Sequence, residues 1–129
     1  MKEKLSELLK NAYAPYSNYQ VACIALMKDG SEACGVNYEN ASYGATICAE
    51  RNAIGSAIAS GYTKGDFEEL FVMTNSDKKP GTCCFMCRQV IQEFFSKESK
   101  VTCMNNLGES LVFTVGELCP YPFDEEDLV

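Results

Sequence analysis

Histidine is absent from this sequence of 129 residues. A chain without histidine cannot build a Ser-His-Asp or Cys-His catalytic site, and it cannot build the histidine-ligated zinc site of metalloproteases. The sequence does contain eight cysteines. A zinc ion bound by this chain would therefore be held mainly by thiolates, which are established zinc ligands.

Long apolar runs, a secretion signal and an excess of basic residues are also missing. No stretch approaches the roughly 18 uninterrupted apolar residues of a membrane span, so we expect no membrane partner. Residues 1–5 lack the apolar core and cleavage site of a signal peptide, and we therefore expect a cytoplasmic protein. The net charge is -7, and an acidic surface repels phosphate backbones. We expect a small-molecule substrate and no nucleic-acid partner.

The length and the hydrophobic content of 47% suit a single domain over residues 1–129. In a secreted chain, eight cysteines would suggest a framework of disulfides. In a reducing compartment, cysteines instead serve as metal ligands, nucleophiles or small core residues. Because no signal peptide is predicted, we interpret these cysteines in the second way.

Hydrophobic periodicity and turn residues divide the chain into helices and strands. Helices are predicted over residues 2–13, 48–60, 84–96 and 115–118, and strands over residues 19–27, 32–38, 69–74, 100–104 and 110–114. The main elements follow the order α-β-β-α-β-α-β-β. This order predicts an α/β fold, a mixed five-stranded sheet with helices on both faces. The predicted apolar face of the helix over residues 48–60 consists of Ala49, Ala53, Ile54, Ala57 and Ile58.

Two cysteine clusters each stand at a predicted helix start, directly after a loop. Their sequences are Cys-Ala-Glu-Arg at residues 48–51 and Cys-Cys-Phe-Met-Cys-Arg-Gln at residues 83–89. The free N–H groups and the dipole of a helix start favour negative charge, which lowers a thiol pKa and favours metal binding. Cys84 and Cys87 are three residues apart and face the same side of a helical turn. Cys48 could supply a third ligand from the other helix.

Three thiolates would leave the fourth tetrahedral position of a zinc ion open, which is typical of a catalytic site. Glu50, two residues beyond Cys48, could reach that position without binding the metal. Zinc with three thiolates carries a formal charge of about -1 and needs compensation. Arg51 and Arg88 each follow one cysteine cluster, and their guanidinium groups could hydrogen-bond the sulfurs.

Other interpretations of the cysteines stay open from the spacing alone. Cys84 and Cys87 could form a thioredoxin-like redox pair. A structural zinc site could instead include a fourth cysteine, Cys83 or Cys119, or all of the cysteines could be core residues. The cysteines that no spacing links to the clusters are interpreted as small core residues: Cys23, Cys34, Cys103 and Cys119.

Cys-Ala-Glu at one helix start and Cys-x-x-Cys-Arg-Gln at the next resemble the cytidine deaminase family, in its small three-cysteine form. Residues 14–21, Ala-Pro-Tyr-Ser-Asn-Tyr-Gln-Val, are similar to the family's entry to its first strand. Residues 35–40 are similar to its nucleoside-binding strand end, and residues 119–123 are similar to its C-terminal segment. The resemblance runs from about residue 5 to residue 127.

The resemblance implies hydrolytic deamination of cytidine and 2′-deoxycytidine to uridine and 2′-deoxyuridine, with release of ammonia, in pyrimidine salvage. It implies a homotetramer with one Zn²⁺ per subunit. The implied zinc ligands are Cys48, Cys84 and Cys87, with Glu50 as the proton shuttle. The implied nucleoside-binding residues are Asn37 and Glu39 at the ribose 3′-hydroxyl, Tyr19 beside the base and sugar, and the backbone of Ala49 at the pyrimidine edge, while Tyr43 and Phe123 would reach into a neighbouring subunit's site.

The chain departs from the family pattern Pro-Cys-Gly-x-Cys at two positions. Cys83 stands at the proline position and Phe85 at the glycine position. We expect Cys84 rather than Cys83 to be the ligand, because a spacing of three suits two ligands on one helical turn. A deaminase of a cytosine-containing antibiotic of the blasticidin S type, and a non-catalytic zinc scaffold, stay open as alternatives. Glu39 argues for a ribose-containing substrate, and Glu50 argues against a non-catalytic scaffold.

Overall fold

The computed structural model describes residues 1–128, so that Val129, the last residue of the predicted domain, lies outside the described residues. Four α-helices and five β-strands form in the predicted order. The helices are α1 Lys2–Leu9, α2 Ala49–Ala59, α3 Phe85–Phe94 and α4 Val115–Leu118, and the strands are β1 Val21–Met27, β2 Glu32–Val36, β3 Phe67–Thr74, β4 Lys100–Met104 and β5 Ser110–Thr114. Short 3-10 helices cover Tyr43–Ala45 and Glu125–Asp127.

The strands form one sheet in the order β2-β1-β3-β4-β5. Strands β3 and β4 are parallel, and the other neighbouring pairs are antiparallel. The parallel pair is joined through α3, because parallel neighbours need a crossover connection. The prediction of a mixed five-stranded α/β fold is confirmed.

Helices pack on both faces of the sheet, as predicted. On one face, α2, α3 and α4 form the larger apolar core, in which Ile54, Ile91 and Leu118 pack with inward side chains of the sheet. On the other face, α1 places Leu5 and Leu9 in a smaller core. Within residues 1–128, no helix reaches the length and the apolar character that crossing a membrane requires.

A row of facing residues crosses the sheet beneath the start of α2. Cys23 is paired with Gly35 on one side and with Val72 on the other, and Val72 is paired with Cys103. A Cβ atom built on Gly35 would lie 2.3 Å from the backbone nitrogen of Ala53 in α2. The absent side chain of Gly35 therefore lets α2 lie directly on β2, which sets the height of the helix start above the sheet.

Three details of the sequence prediction are wrong. Helix α1 ends at Leu9 rather than at residue 13, because the chain turns there and Tyr13 forms a bridge with Tyr38. Ile58, which was predicted to face the core, is an exposed residue of α2. Cys34 is exposed on the edge strand β2, although its partner Ile24 on β1 is buried in the smaller core.

The remaining cysteines predicted to be core residues divide into two groups. Cys23 and Cys103 are buried, as predicted, whereas Cys119 is only half-buried. Cys119 follows the last residue of α4, where the chain leaves the core for the C-terminal segment.

Candidate metal centre and adjoining pocket

The starts of α2 and α3 bring together the three cysteines predicted as ligands. Cys48 is the N-cap residue of α2, and Cys84 is the N-cap residue of α3. Cys87 is the third residue of α3, and its backbone N–H donates a hydrogen bond to the Cys84 sulfur at 3.5 Å. An N-cap side chain points back over its own helical turn, so Cys84 and Cys87 face the same space as Cys48.

The geometry of this sulfur cluster suits a zinc ion. The Sγ atoms of Cys48, Cys84 and Cys87 all lie within 4.8 Å of one another, and those of Cys48 and Cys84 are 3.9 Å apart. Two sulfurs bonded at about 2.3 Å to a tetrahedral zinc are themselves about 3.8 Å apart. The cluster can therefore hold zinc with little rearrangement.

Hydrogen bonds and positive charge make the Cys48 thiol acidic. The hydrogen bond from the Cys87 thiol and the adjacent Arg51 guanidinium lower the pKa of Cys48 to about 5. The Nη2 atom of Arg51 donates to the Cys48 sulfur at 3.5 Å. The interaction with Cys48 and the burial of its own thiol raise the pKa of Cys87. Of Cys48 and Cys87, Cys48 is therefore the thiol that loses its proton first.

The two arginines predicted to compensate thiolate charge differ in their surroundings. Arg51 contacts the Cys48 sulfur, as described, but Arg88 does not bond any sulfur. Its guanidinium donates to the carbonyl oxygens of Cys83 at 2.7 Å and Leu118 at 2.9 Å and to the hydroxyl of Thr82 at 3.1 Å. The expectation that Arg88 hydrogen-bonds the sulfurs is therefore corrected: the three bonds tie the start of α3 to the end of α4.

Cys83 lies outside the sulfur cluster although it is adjacent to Cys84 in the sequence. Its side chain is only 2% exposed and packs in the larger core with Cys103. The contact with Cys103 and burial raise the pKa of Cys83. The two successive side chains point in different directions at the helix start. Cys83 points into the core, whereas Cys84 points to the sulfur cluster.

Glu50 is a buried carboxyl group beside the sulfur cluster. It is the second residue of α2 and is 5% exposed. Burial raises the pKa of Glu50 above its ordinary value, and the negative charge of Cys48 acts in the same direction. Together with Cys48 and Cys84, Glu50 lines a cavity of about 170 Å³. The cavity therefore brings a small ligand to the carboxyl group and the sulfurs at once.

Three further residues predicted for nucleoside binding line the same cavity: Tyr19, Asn37 and Ala49. Asn37 is buried, and its side chain connects two parts of the entry to β1. Its Oδ1 accepts a hydrogen bond from the Val21 N–H at 2.9 Å, and its Nδ2 donates to the Tyr19 carbonyl at 2.8 Å. One N–H and one lone pair of the Asn37 amide remain for a ligand.

Thr46 and Thr82 also line the cavity, but they were not identified from the sequence. Each lies two residues before an N-cap cysteine, Thr46 before Cys48 and Thr82 before Cys84. This shared spacing is the sequence signal that would have indicated them. On the Thr46 side, Ile47 and Tyr38 exchange two backbone hydrogen bonds of 3.0 Å, which hold the segment before Cys48 against the strand end that carries Asn37.

Glu39 and Tyr43 lie in a second cavity, of about 330 Å³, which shares Thr46 with the first. The carboxylate of Glu39 accepts hydrogen bonds from the backbone N–H groups of Tyr16 at 3.0 Å and Ser17 at 3.1 Å and from the Ser17 hydroxyl. These bonds lower the pKa of Glu39. The predicted ribose-binding pair Asn37 and Glu39 is thus divided between two adjoining cavities.

Phe123 lies outside both cavities. Its carbonyl oxygen accepts hydrogen bonds from the side chains of Gln89 at 2.7 Å and Gln92 at 3.0 Å on α3, and its ring is 57% exposed. Tyr43 is 78% exposed. Both aromatic rings therefore project from the surface of the chain.

Comparisons with known proteins support the family that the cysteine motifs indicated. Residues 1–104 match the family model of the cytidine and deoxycytidylate deaminase zinc-binding region. The chain is 43% identical to a cytidine deaminase of Halalkalibacterium halodurans over 92% of this chain and 88% of the relative. It is 39% identical to a cytidine deaminase of Mycoplasma genitalium over 90% and 87% of the two chains.

The fold also matches solved structures. The crystal structure of cytidine deaminase from Burkholderia pseudomallei superposes with a TM-score of 0.89 at 39% identity, and the match covers 94% of each chain. By its sequence, its fold and its relatives, this chain belongs to the cytidine deaminase family.

Proposed function

We propose that this protein is a zinc-dependent hydrolase that converts cytidine and 2′-deoxycytidine to uridine and 2′-deoxyuridine, with release of ammonia. The observation that carries this proposal is the position of Glu50. A buried carboxyl group lies in one small cavity with Cys48 and Cys84 of the sulfur cluster. Membership of the cytidine deaminase family supplies the reaction for which this arrangement is suited.

The sulfur cluster and Glu50 divide the chemistry between them. Zinc, when held by Cys48, Cys84 and Cys87, is a Lewis acid that makes water a nucleophile near neutral pH. Glu50 accepts a proton from the water that attacks C4 of the pyrimidine and delivers it to N3. Glu50 then carries a proton to the amino group on C4, which leaves as ammonia. Water and cytidine are thereby converted to uridine and ammonia.

The surroundings of Glu50 suit a group that both accepts and donates a proton. Its burial raises the pKa of the carboxyl group, and a pKa closer to the working pH favours proton transfer in both directions. The carboxyl group is held at the second position of α2, two residues after the N-cap residue Cys48. Arg51 compensates the negative charge of the thiolates on the same helix.

Nucleoside recognition is proposed for the remaining residues of the two cavities. The Ala49 backbone would bind the pyrimidine edge, Tyr19 would contact the base and the sugar, and Asn37 and Glu39 would bind the ribose 3′-hydroxyl. The free N–H and lone pair of Asn37 support its role. Thr46, which lines both cavities, supports a ligand that extends from one cavity into the other.

Several finer features are proposed from the resemblance. We propose one zinc ion per subunit, a homotetramer in which Tyr43 and Phe123 reach into a neighbouring subunit's site, and a single deaminase domain over residues 1–129. The exposed rings of Tyr43 and Phe123 support the homotetramer. We further propose a cytoplasmic role in pyrimidine salvage, with no nucleic-acid or membrane partner. Light scattering coupled to size-exclusion chromatography tests the oligomeric state directly.

The reaction is tested by incubating the zinc-loaded protein with cytidine and measuring both the loss of ultraviolet absorbance and the ammonia released. Glu50→Gln is expected to keep its zinc while the rate falls by about 10²–10⁴-fold, because the proton shuttle is lost. Glu68→Gln is the matched control, because Glu68 is exposed on β3. A Glu50→Gln protein that deaminates cytidine at the wild-type rate would contradict the role of Glu50.

Two parallel assays address the alternatives left by the sequence. Blasticidin S, tested at the same concentration as cytidine, shows whether the ribose nucleoside is preferred. A disulfide-reduction assay on the metal-free protein tests the redox interpretation of Cys84 and Cys87, for which we expect no activity above background. A non-catalytic scaffold would bind zinc and release no ammonia from cytidine.

A further inference from the structure

One wall of the cavity is formed by Tyr19, whose backbone is held from both sides. The Tyr19 N–H donates to the Ser17 hydroxyl at 3.0 Å, and its carbonyl oxygen accepts from Asn37 Nδ2 at 2.8 Å. The base of the side chain is therefore anchored, and Tyr19, which lines the cavity, is 43% exposed. The orientation of the ring is therefore set by the residues that contact its hydroxyl end.

The far end of the Tyr19 ring lies over Gly81, in the loop between β3 and α3. A Cβ atom built on Gly81 would lie only 2.3 Å from the Tyr19 hydroxyl oxygen and 3.3 Å from Cγ2 of Thr74. Real Cβ atoms essentially never approach another heavy atom within 3.0 Å. A side chain at position 81 and the present position of the Tyr19 hydroxyl thus exclude each other.

The absence of a side chain at Gly81 is a matter of space rather than of backbone conformation. Gly81 does not have a positive φ, unlike Gly30, Gly61, Gly65 and Gly108. Alanine can therefore adopt the backbone conformation of Gly81 without strain. The same Cβ would lie 3.6 Å from Cζ of the Tyr19 ring, which is ordinary van der Waals contact. The severe conflict is with the hydroxyl of Tyr19 at 2.3 Å, whereas the contact with Thr74 Cγ2 at 3.3 Å requires a shift of only a few tenths of an ångström.

We propose that Gly81 is a positioning residue for nucleoside binding, which acts through Tyr19 by leaving the space that the tyrosine hydroxyl fills. This inference rests on the proposed function, since it concerns the same cavity. With a side chain at position 81, the ring has to rotate about its anchored backbone. Thr74 is 2% exposed and closes the space on the sheet side, so the ring moves away from its present position on the cavity wall and the cavity changes shape.

The pair is tested by the single variants Gly81→Ala and Tyr19→Phe and by the double variant. Gly81→Ala is expected to raise KM for cytidine by about 10-fold while kcat stays within about threefold, because binding is disturbed and the reacting groups are not. Tyr19→Phe supplies the reference KM for the pair, because the phenylalanine ring keeps the cavity wall and lacks the hydroxyl. The double variant is expected to regain a KM close to that of Tyr19→Phe, because phenylalanine removes the clashing atom.

Thermal unfolding of the same proteins reads the steric contact without reference to activity. Gly81→Ala is expected to lower Tm, and adding Tyr19→Phe is expected to recover most of that loss. Zinc content is expected to be the same in all of these proteins. Gly55→Ala is the matched control, because a Cβ on Gly55 would meet no atom within 4 Å. We expect this variant to keep the wild-type KM and to unfold at or above the wild-type Tm.

Two results would overturn the proposal: a Gly81→Ala protein with the wild-type KM, or a double variant with the same KM as Gly81→Ala. Its failure can be distinguished from failure of the proposed function. If the zinc-loaded wild type does not deaminate cytidine, the proposed function is wrong. The contact between Gly81 and Tyr19 is then tested by calorimetry, which measures the dissociation constant for uridine in the wild type, the two single variants and the double variant. Absence of uridine binding to the wild type would overturn both.

Discussion

Two groups of cysteines lie close together in this protein and differ in where the backbone presents their sulfur atoms. Cys48, Cys84 and Cys87 stand at helix starts around a shared space. Cys23, Cys83 and Cys103 lie directly beneath them in the core. Hydrogen bonding by Cys87 and the charge of Arg51 lower the pKa of Cys48 to about 5, whereas burial raises the pKa of Cys23.

The comparison teaches that position relative to a helix start decides the role of a cysteine. Cys83 and Cys84 are adjacent, but only Cys84 is the N-cap residue of α3 and accepts a backbone N–H. The N-cap position turns a side chain toward the free N–H groups and favours negative charge. The preceding position turns Cys83 into the core, where a neutral thiol is an adequate small hydrophobic residue.

The largest expected effect concerns the two adjacent cysteines. Cys84→Ala is expected to lose zinc and to lower cytidine deamination by about 10³-fold or more, because two thiolates alone hold the metal poorly. Cys83→Ala is expected to keep its zinc. Metal analysis of the purified variants beside the cytidine assay measures both effects. Loss of zinc from Cys83→Ala with retention in Cys84→Ala would reverse our assignment.

The two arginines sharpen the same comparison. Arg51→Gln is expected to weaken zinc binding by about 10–100-fold, because a donor to the Cys48 sulfur is removed. Arg88→Gln is expected to lower Tm with much less change in zinc affinity, because its bonds tie α3 to α4. Competition with a chromophoric chelator measures the affinity. Equal loss of zinc affinity in both variants would show that Arg88 also serves the metal.

Alkylation of the zinc-free protein compares the thiols directly. The pKa of Cys48 is lowered to about 5, so its thiolate is present above that pH and its reaction rate with iodoacetamide is already near its plateau at about pH 6. Partial burial of the Cys34 thiol raises its pKa, so its reaction rate with iodoacetamide continues to rise above about pH 9. At about pH 6 we expect Cys48 to react about 10-fold faster, as measured by peptide mass spectrometry. Equal rates at this pH would contradict the lowered pKa of Cys48.

The smallest expected effect concerns the core group. Cys103→Ala is expected to lower the free energy of unfolding by about 1–2 kcal/mol, because a buried sulfur is lost and a small cavity remains. Zinc content and KM for cytidine are expected to stay at their wild-type values. Urea denaturation measures the change in stability. Loss of zinc from this variant would place Cys103 with the ligands rather than with the core.

The sequence predicted the order of elements because apolar periodicity and turn residues are local signals. It failed at Cys34 and Ile58, because an alternating or periodic pattern does not show how far the neighbouring elements cover an edge strand or a helix. The end of α1 was placed too late because the bridge between Tyr13 and Tyr38 is a contact distant in sequence.

The candidate site was predictable as far as its motifs are local. Helix starts and spacing were sufficient to select Cys84 over Cys83 and to place Glu50 near the sulfurs. The different surroundings of Arg51 and Arg88 were not predictable, because the partners of Arg88 include the Leu118 carbonyl, which lies 30 residues further along the chain. The contact between Tyr19 and Gly81 depends in the same way on how two loops meet.

Zinc K-edge X-ray absorption of the purified protein tests the sulfur cluster most directly, because it counts the ligand atoms and measures their distances. We expect three sulfur atoms at about 2.3 Å and one oxygen or nitrogen atom at about 2.0 Å. This oxygen or nitrogen atom would occupy the fourth zinc position, next to Glu50, which the reaction requires to be open to water. Four sulfur atoms around the zinc would mean a closed, structural site and would contradict our account.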